Sequence, residues 1–263
     1  MKYYSILVAM LVLIPQVSAS VCSVYFTGIG CPHCAKSDPV VLVQSLERNP
    51  ELVVIEYEIY QQQENARLLY DYEQVYNSGL GVPLLVFSKN ISIIGDMPII
   101  SQIDSVVSGL KSNPCPLLGN SIDFESLDLA SLPGKPKIWS KNRVLVKQGD
   151  VKIDGSLLRN LLLADIQKAV ASLKDAGIRI EKVDVQPMPL SGSFVNFDHA
   201  ILIEDSWLFE WRGQDIDFAD KTEGEIEHVE TACPVWLVIV LVCIILLIII
   251  FDLMRRRKRR WTA

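Results

Sequence analysis

Hydrophobic residues fall into short unbroken runs that suit buried strands and into stripes of helical spacing, and their alternation predicts the fold. Residues 21–26 (Val21-Cys22-Ser23-Val24-Tyr25-Phe26) and 52–57 (Leu52-Val53-Val54-Ile55-Glu56-Tyr57) read as strands. Residues 35–48 read as a helix ended by Pro50, and 61–76 as a second, with Ala66, Leu69, Tyr70 and Val75 and few breakers. Asn77-Ser78-Gly79 stops that helix, and Ser88-Lys89-Asn90 turns Leu84-Leu85-Val86-Phe87 into Ile91-Ser92-Ile93-Ile94. Gly95-Asp96 opens a last helix, 98–111, with Ile99, Ile103, Val106, Val107 and Leu110 on one stripe. The order is βαβα-ββα, an α/β domain spanning 21–113.

A linker, Asn113-Pro114-Cys115-Pro116 to Gly119, separates it from 114–214, where an α+β domain is expected. There 137–139 and 143–147 read as strands. Residues 155–176 read as one long helix, with Leu157, Leu158, Leu161, Leu162, Ile166, Ala169, Val170 and Leu173 facing a core and Gly177 capping it. Residues 178–185 are a strand. Residues 199–204 and 207–212 form a hairpin whose second arm sets Trp207, Phe209 and Trp211 on one face, as core.

Apolar runs at both ends change the picture from soluble to membrane-anchored. Lys2, an apolar stretch 6–14, Pro15 and Val17-Ser18-Ala19-Ser20 read as a signal peptide over 1–20; an uncleaved anchor, or a lipoprotein through Cys22, is the alternative. Residues 234–254 are long and apolar enough to cross a bilayer, and 255–263 form a basic tail. The positive-inside rule then puts the C-terminus in the cytoplasm and everything between the two segments outside, in a single-pass arrangement at the cell membrane. An acidic stretch, 215–233, is the expected stalk. The formal charge is −6; Lys2, Asp252 and the six basic residues 255–260 together carry +6, so the rest of the chain carries −12. An exterior that acidic argues against nucleic acid as a partner. An exported chain also meets an oxidising compartment, so disulfides or redox centres are the natural use of its six cysteines.

Chemistry concentrates in Cys31-Pro32-His33-Cys34, at the junction of the first strand and first helix. The free N–H groups of a helix start favour thiolate over thiol, which makes Cys31 the candidate nucleophile. Cys34, one turn on, is the buried resolving thiol within disulfide reach. Pro32 suits a first helical turn, and His33 offers positive charge beside the sulfur. Half a zinc site or a static disulfide are the competing readings, but zinc needs four ligands and no second pair appears, so neither metal nor cofactor is expected. His199 beside Asp198 is read as structural rather than as an acid/base pair, and Asn90-Ile91-Ser92 is a glycosylation sequon in a turn.

Cys31-Pro32-His33-Cys34 and Gly81-Val82-Pro83, placed as they are in a βαβα-ββα order, resemble the thioredoxin superfamily over residues 21–112. The likeness is nearest to its glutaredoxin-like members, with the active-site tetrad typical of DsbA proteins. That resemblance implies a cis Pro83 facing the sulfurs and a Val82 backbone that binds substrate. The chain departs from the family in having no obvious match to the buried acid of thioredoxin proper. If the first strand runs toward the active site and the last helix runs back, Cys22 and Cys115 meet at the opposite end, and a structural disulfide is expected there. Cys233 offers a link between two chains as a homodimer, and Cys243 is packing. The expectation is a membrane-anchored protein-disulfide oxidoreductase that oxidises or isomerises disulfides of exported proteins and is recycled by a membrane redox partner, a quinone-linked oxidase or a reductant carrier by resemblance. The alternatives are an extracytoplasmic reductant, for example of apocytochrome thiols, and a non-enzymatic, membrane-tethered assembly factor.

Overall fold

The computed structural model describes residues 20–216. The expected signal segment, stalk, span and tail, with Cys233 and Cys243, lie outside the described residues apart from Ser20, Asp215 and Ile216. Among the described residues no helix is long and apolar enough to cross a membrane.

The architecture is mixed α/β around one sheet. β1 (Val21–Thr27) and β2 (Leu52–Glu58) are buried along their whole length, as unbroken apolar runs require, and pair in parallel from Val21 opposite Leu52 to Thr27 opposite Glu58. The helix between them, α1, starts as Cys34–Pro39, loosens into a π turn over Val40–Gln44 and ends as Ser45–Arg48. The π turn follows directly on Pro39, which has no N–H to continue the α ladder. α2 (Gln63–Tyr76) leads to β3 (Leu84–Ser88), antiparallel to β1, and β4 (Ile91–Ile94), antiparallel to β3; α3 (Asp96–Leu110) closes this part. The buried stripe of α2 is Leu68, Leu69, Tyr72 and Tyr76, while Tyr70 and Val75 are exposed. Leu68, Tyr72 and Tyr76, at i, i+4 and i+8, form its large inward row.

The second half does not fold apart from the first. β5 (Lys137–Ser140) pairs with β2, and β6 (Arg143–Lys147) follows it. β11 (Trp207–Trp211), β10 (His199–Ile203) and β7 (Ile180–Lys182) then extend the sheet to nine strands in the order β4-β3-β1-β2-β5-β6-β11-β10-β7. A separate hairpin, β8 (Met188–Leu190) and β9 (Ser193–Val195), turns at Ser191-Gly192. The single helix expected over 155–176 is two, α4 (Gly155–Leu163) and α5 (Ile166–Asp175). Ala164 is extended and the Asp165 carboxylate caps the second helix, accepting from Lys168 N at 3.2 Å. The strand expected over 178–185 shrinks to β7.

Each face of the sheet is covered. One carries α2, α4 and α5, over Phe26, Tyr57, Trp207, Phe209 and Trp211. The other carries α1, α3 and the β8–β9 hairpin, with Tyr25, Val54, Leu85, Trp139, Met188 and Leu190 in one cluster. The aromatic face of β11 is thus core. At the end of the sheet remote from α1's start, Cys22 and Cys115 form a disulfide with a Cα separation of 4.7 Å. Asn113 Nδ2 donates there to the carbonyls of Cys22 (2.8 Å) and Phe87 (2.7 Å), joining β1 to β3 where their own pairing has ended.

Candidate active site around Cys31 and Cys34

β1 delivers the chain into the turn Gly28-Ile29-Gly30, which closes when Cys31 N donates to the Gly28 carbonyl at 3.0 Å. Glu58, buried at the end of β2, fastens that turn to the neighbouring one. Its Oε1 accepts from Ile29 N (3.0 Å) and Tyr60 N (2.9 Å), and its Oε2 from Gln61 N (2.8 Å) and Gln62 N (3.0 Å). Four backbone donors compensate the desolvation of one carboxylate and make the loop pair rigid. Gly28 is required where it stands, because a Cβ there would lie 2.8 Å from Tyr60 Cγ. The Tyr60 ring, itself 56 % exposed, therefore rests on the turn that leads into Cys31.

Cys31 and Cys34 are free thiols, 4 % and 0 % exposed, and Pro32 and His33 stand exposed between them. Cys34 N donates to Cys31 Sγ at 3.2 Å. On the other side Cys31 Sγ is 4.0 Å from the Val82 carbonyl oxygen, and the Val82–Pro83 peptide is cis. Cys31 and Val82, 51 residues apart in the chain, thus meet beside Cys34 and the cis peptide. His33 is turned toward α3 instead: its Nδ1 is 3.2 Å from Asp96 Oδ1, and Lys36 Nζ is 3.1 Å from Oδ2. The Lys36 ammonium, with His33 and the Met97 N–H, holds the Asp96 carboxyl below the usual carboxylate range. Pro83 O accepts from Gly95 N at 2.8 Å, so the loop bearing Val82 is also tied to the start of α3.

Beneath the sulfurs lies a polar network that no sequence motif announced. Asp38, one helical turn after Cys34 and 1 % exposed, accepts at Oδ1 from Thr27 Oγ1 (2.6 Å) and Tyr25 Oη (2.8 Å), and at Oδ2 from Ser191 N (2.9 Å). Burial pushes its carboxyl up to about 6 against these three donors, and the charge of Glu56 adds to the rise. Burial also pushes the Cys34 thiol up to about 12, helped by the bond to Cys31 and the charge on it, and opposed by Thr27 and the Gly28 backbone. The Thr27 hydroxyl is common to both groups: it donates to Asp38 Oδ1 and draws the Cys34 thiol down. A signal for Asp38 was present in its i+4 spacing from Cys34. Nothing local marks Glu58 or Ser191.

His199 and Asp198 do not form a pair with each other. His199 Nε2 bonds to Gly213 O (2.9 Å) and its Nδ1 is 3.3 Å from Asp215, while Asp198 Oδ2 accepts from Gly213 N (3.0 Å). They bind down the chain after β11.

No family model, no curated protein and no solved structure matches the chain. The geometry of the site therefore carries the functional reading.

Proposed function

We propose that the protein is a thiol:disulfide oxidoreductase of thioredoxin-like fold, anchored in the membrane by residues 234–254, that oxidises or isomerises disulfides of exported proteins. The observation that carries the reading is the buried dithiol at a helix start, with Cys34 N aimed at Cys31 Sγ from 3.2 Å. A parallel β1–β2 pair beside the antiparallel β3–β4 hairpin, with helices on both faces, supports the fold part of it.

In the oxidising direction a substrate thiolate attacks Cys31 Sγ of the Cys31–Cys34 disulfide. The bond between the two protein sulfurs breaks, and Cys34 leaves as a thiolate that is protonated from Asp38 through Thr27. A second substrate thiolate then attacks the substrate sulfur of the mixed disulfide, and Cys31 leaves. The substrate has lost two electrons and the dithiol has gained them, to be passed to a membrane redox partner. The reverse route resolves a mixed disulfide: Cys34 attacks Cys31 Sγ while Asp38 takes its proton. Two of the causes that hold Cys34 protonated, the bond to Cys31 and the charge on it, vanish once Cys31 is in a mixed disulfide. The resolving thiol is thus released for attack only when it is needed. The Val82 carbonyl, beside Cys31, is the edge on which a substrate backbone N–H would pair.

The test is the reduction potential of the Cys31/Cys34 pair, by equilibration with glutathione buffers and trapping of free thiols. A value well above the glutathione range supports oxidation or isomerisation, and one near that of thioredoxin makes the protein a reductant. Cys31→Ser abolishes turnover if the reading is right; a variant that keeps full activity rules it out.

A further inference from the structure

The β8–β9 hairpin reaches the dithiol from more than 150 residues away in the chain. Its two-residue turn is Ser191-Gly192, with Gly192 at φ +77°, and a Cβ on Gly192 would stand 2.9 Å from Ala35 Cβ. The turn is therefore pressed onto the first turn of α1 as closely as backbone allows. Met188, Leu190, Val195 and Phe197 hold it there, buried in the same cluster as Val41, Leu42 and Ile99. Ser191, 0 % exposed, directs both of its donors at the site: Oγ donates to the Cys31 carbonyl at 2.8 Å and N to Asp38 Oδ2 at 2.9 Å. The Cys31 carbonyl already accepts from Ala35 N at 3.0 Å, so the hydroxyl is not needed to complete the helix.

From this we infer that Ser191 is a positioning residue of the dithiol chemistry: its N–H pins the Asp38 carboxylate so that Oδ1 stays on Thr27, in line to exchange a proton with Cys34. The inference rests on the oxidoreductase reading above and assigns part of the second half of the chain to the redox centre. The groups that face Asp38 are Tyr25 and Thr27 from β1, Glu56 from β2 and Ser191 from the hairpin, and Ser37 of α1 shares the Tyr25 hydroxyl. Glu56 is itself engaged by Lys137 Nζ (2.9 Å) and Trp139 Nε1 (2.5 Å) from β5, and Ser191 N is the donor on Asp38 Oδ2.

A hydrogen bond to the charged form of a carboxylate favours that form, so losing the N–H delays the appearance of the base to higher pH. The experiment uses the full chain with Cys233→Ser and Cys243→Ser, the Cys22–Cys115 bond intact, and dithionitrobenzoate as the oxidant. Cys31 attacks the reagent and releases one thionitrobenzoate. Cys34 then gives up its proton, attacks Cys31 Sγ and releases the second, leaving the Cys31–Cys34 disulfide. The first release reads Cys31 alone; the second reads proton loss from Cys34. Ser191→Pro removes the N–H, and is expected to slow the second release about tenfold at about pH 5, the effect shrinking to about twofold by about pH 7 as the midpoint of its pH profile moves upward. The first release stays within about twofold of the native rate. Ser191→Ala keeps the N–H and the native midpoint. Gly192→Ala pushes the same N–H off Asp38 without deleting it and carries the same expectation as the proline, should that variant not fold. An unchanged midpoint in both displaced variants, or equal slowing of both releases, overturns the inference. A native protein that releases only one equivalent overturns the dithiol reading itself, and this one with it.

Discussion

Glu210 supplies a quantitative test of how burial acts on this sheet. It lies within β11, opposite Val144 on one side and Ala200 on the other, is 3 % exposed, and its Oε2 has no hydrogen-bond partner. Burial pushes its carboxyl up to about 7 from an ordinary 4.5, with the Lys137 charge opposing. Because the folded value is raised, the native state keeps a proton that the unfolded chain has already lost between those two values. Stability from this group is therefore present at low pH and declines as pH rises through the window. Each pH unit between the folded and unfolded values is worth about 1.4 kcal/mol, so the loss from about pH 4 to about pH 8 is about 3 kcal/mol. Glu210→Gln has no such titration. Urea unfolding followed by tryptophan fluorescence at both pH values should find the variant gaining about 3 kcal/mol on the native protein between them. Any packing cost of the amide is the same at both ends and cancels. A difference between variant and native protein that stays constant across the range would refute the argument, because the carboxyl would then titrate alike folded and unfolded.

Asp38→Asn should likewise flatten the stability profile, here in the lower window between the ordinary 3.8 and about 6, again with the native protein losing stability as pH rises; the same unfolding titration checks it. Replacing Cys22 and Cys115 together by Ala should lower stability by about 4–5 kcal/mol in the chain-entropy model, since the bond closes a loop with a sequence separation of 93. Unchanged urea midpoints in the double variant would reject that. Tyr60→Ala should speed alkylation of Cys31 by a bulky maleimide severalfold and leave global stability nearly untouched, because the exposed ring leans on Gly28 in the turn that leads into Cys31. Equal alkylation rates would mean that Tyr60 does not limit access.

Local pattern carried much of the first half. The runs that became β1 and β2 are apolar throughout because both faces of a central parallel pair are covered, and such runs announce themselves. The stripe Ile99, Ile103 and Val107 marked the buried side of α3 in the same way. The Cys31/Cys34 pair was legible at a helix start, and the meeting of Cys22 with Cys115 followed from the directions of the first strand and the last helix. Where a polar side chain could substitute for a backbone partner, pattern failed. Asp165 divides what periodicity reads as one helix, since a cap competes with helix continuation only when the surrounding chain lets it.

Composition and spacing, then, were sufficient for the main elements of the first half and for the Cys31/Cys34 pair. Only the folded chain could decide that β5 continues the sheet from β2, that Asp38 is buried under Cys34, and that Ser191 donates to both Asp38 and the Cys31 carbonyl. A buried carboxylate looks like any surface acid until the groups that desolvate and bond it are brought in, and here they come from β1 and from a hairpin 153 residues further along. Such contacts depend on which surfaces close on one another, and that is a property of the whole packed chain.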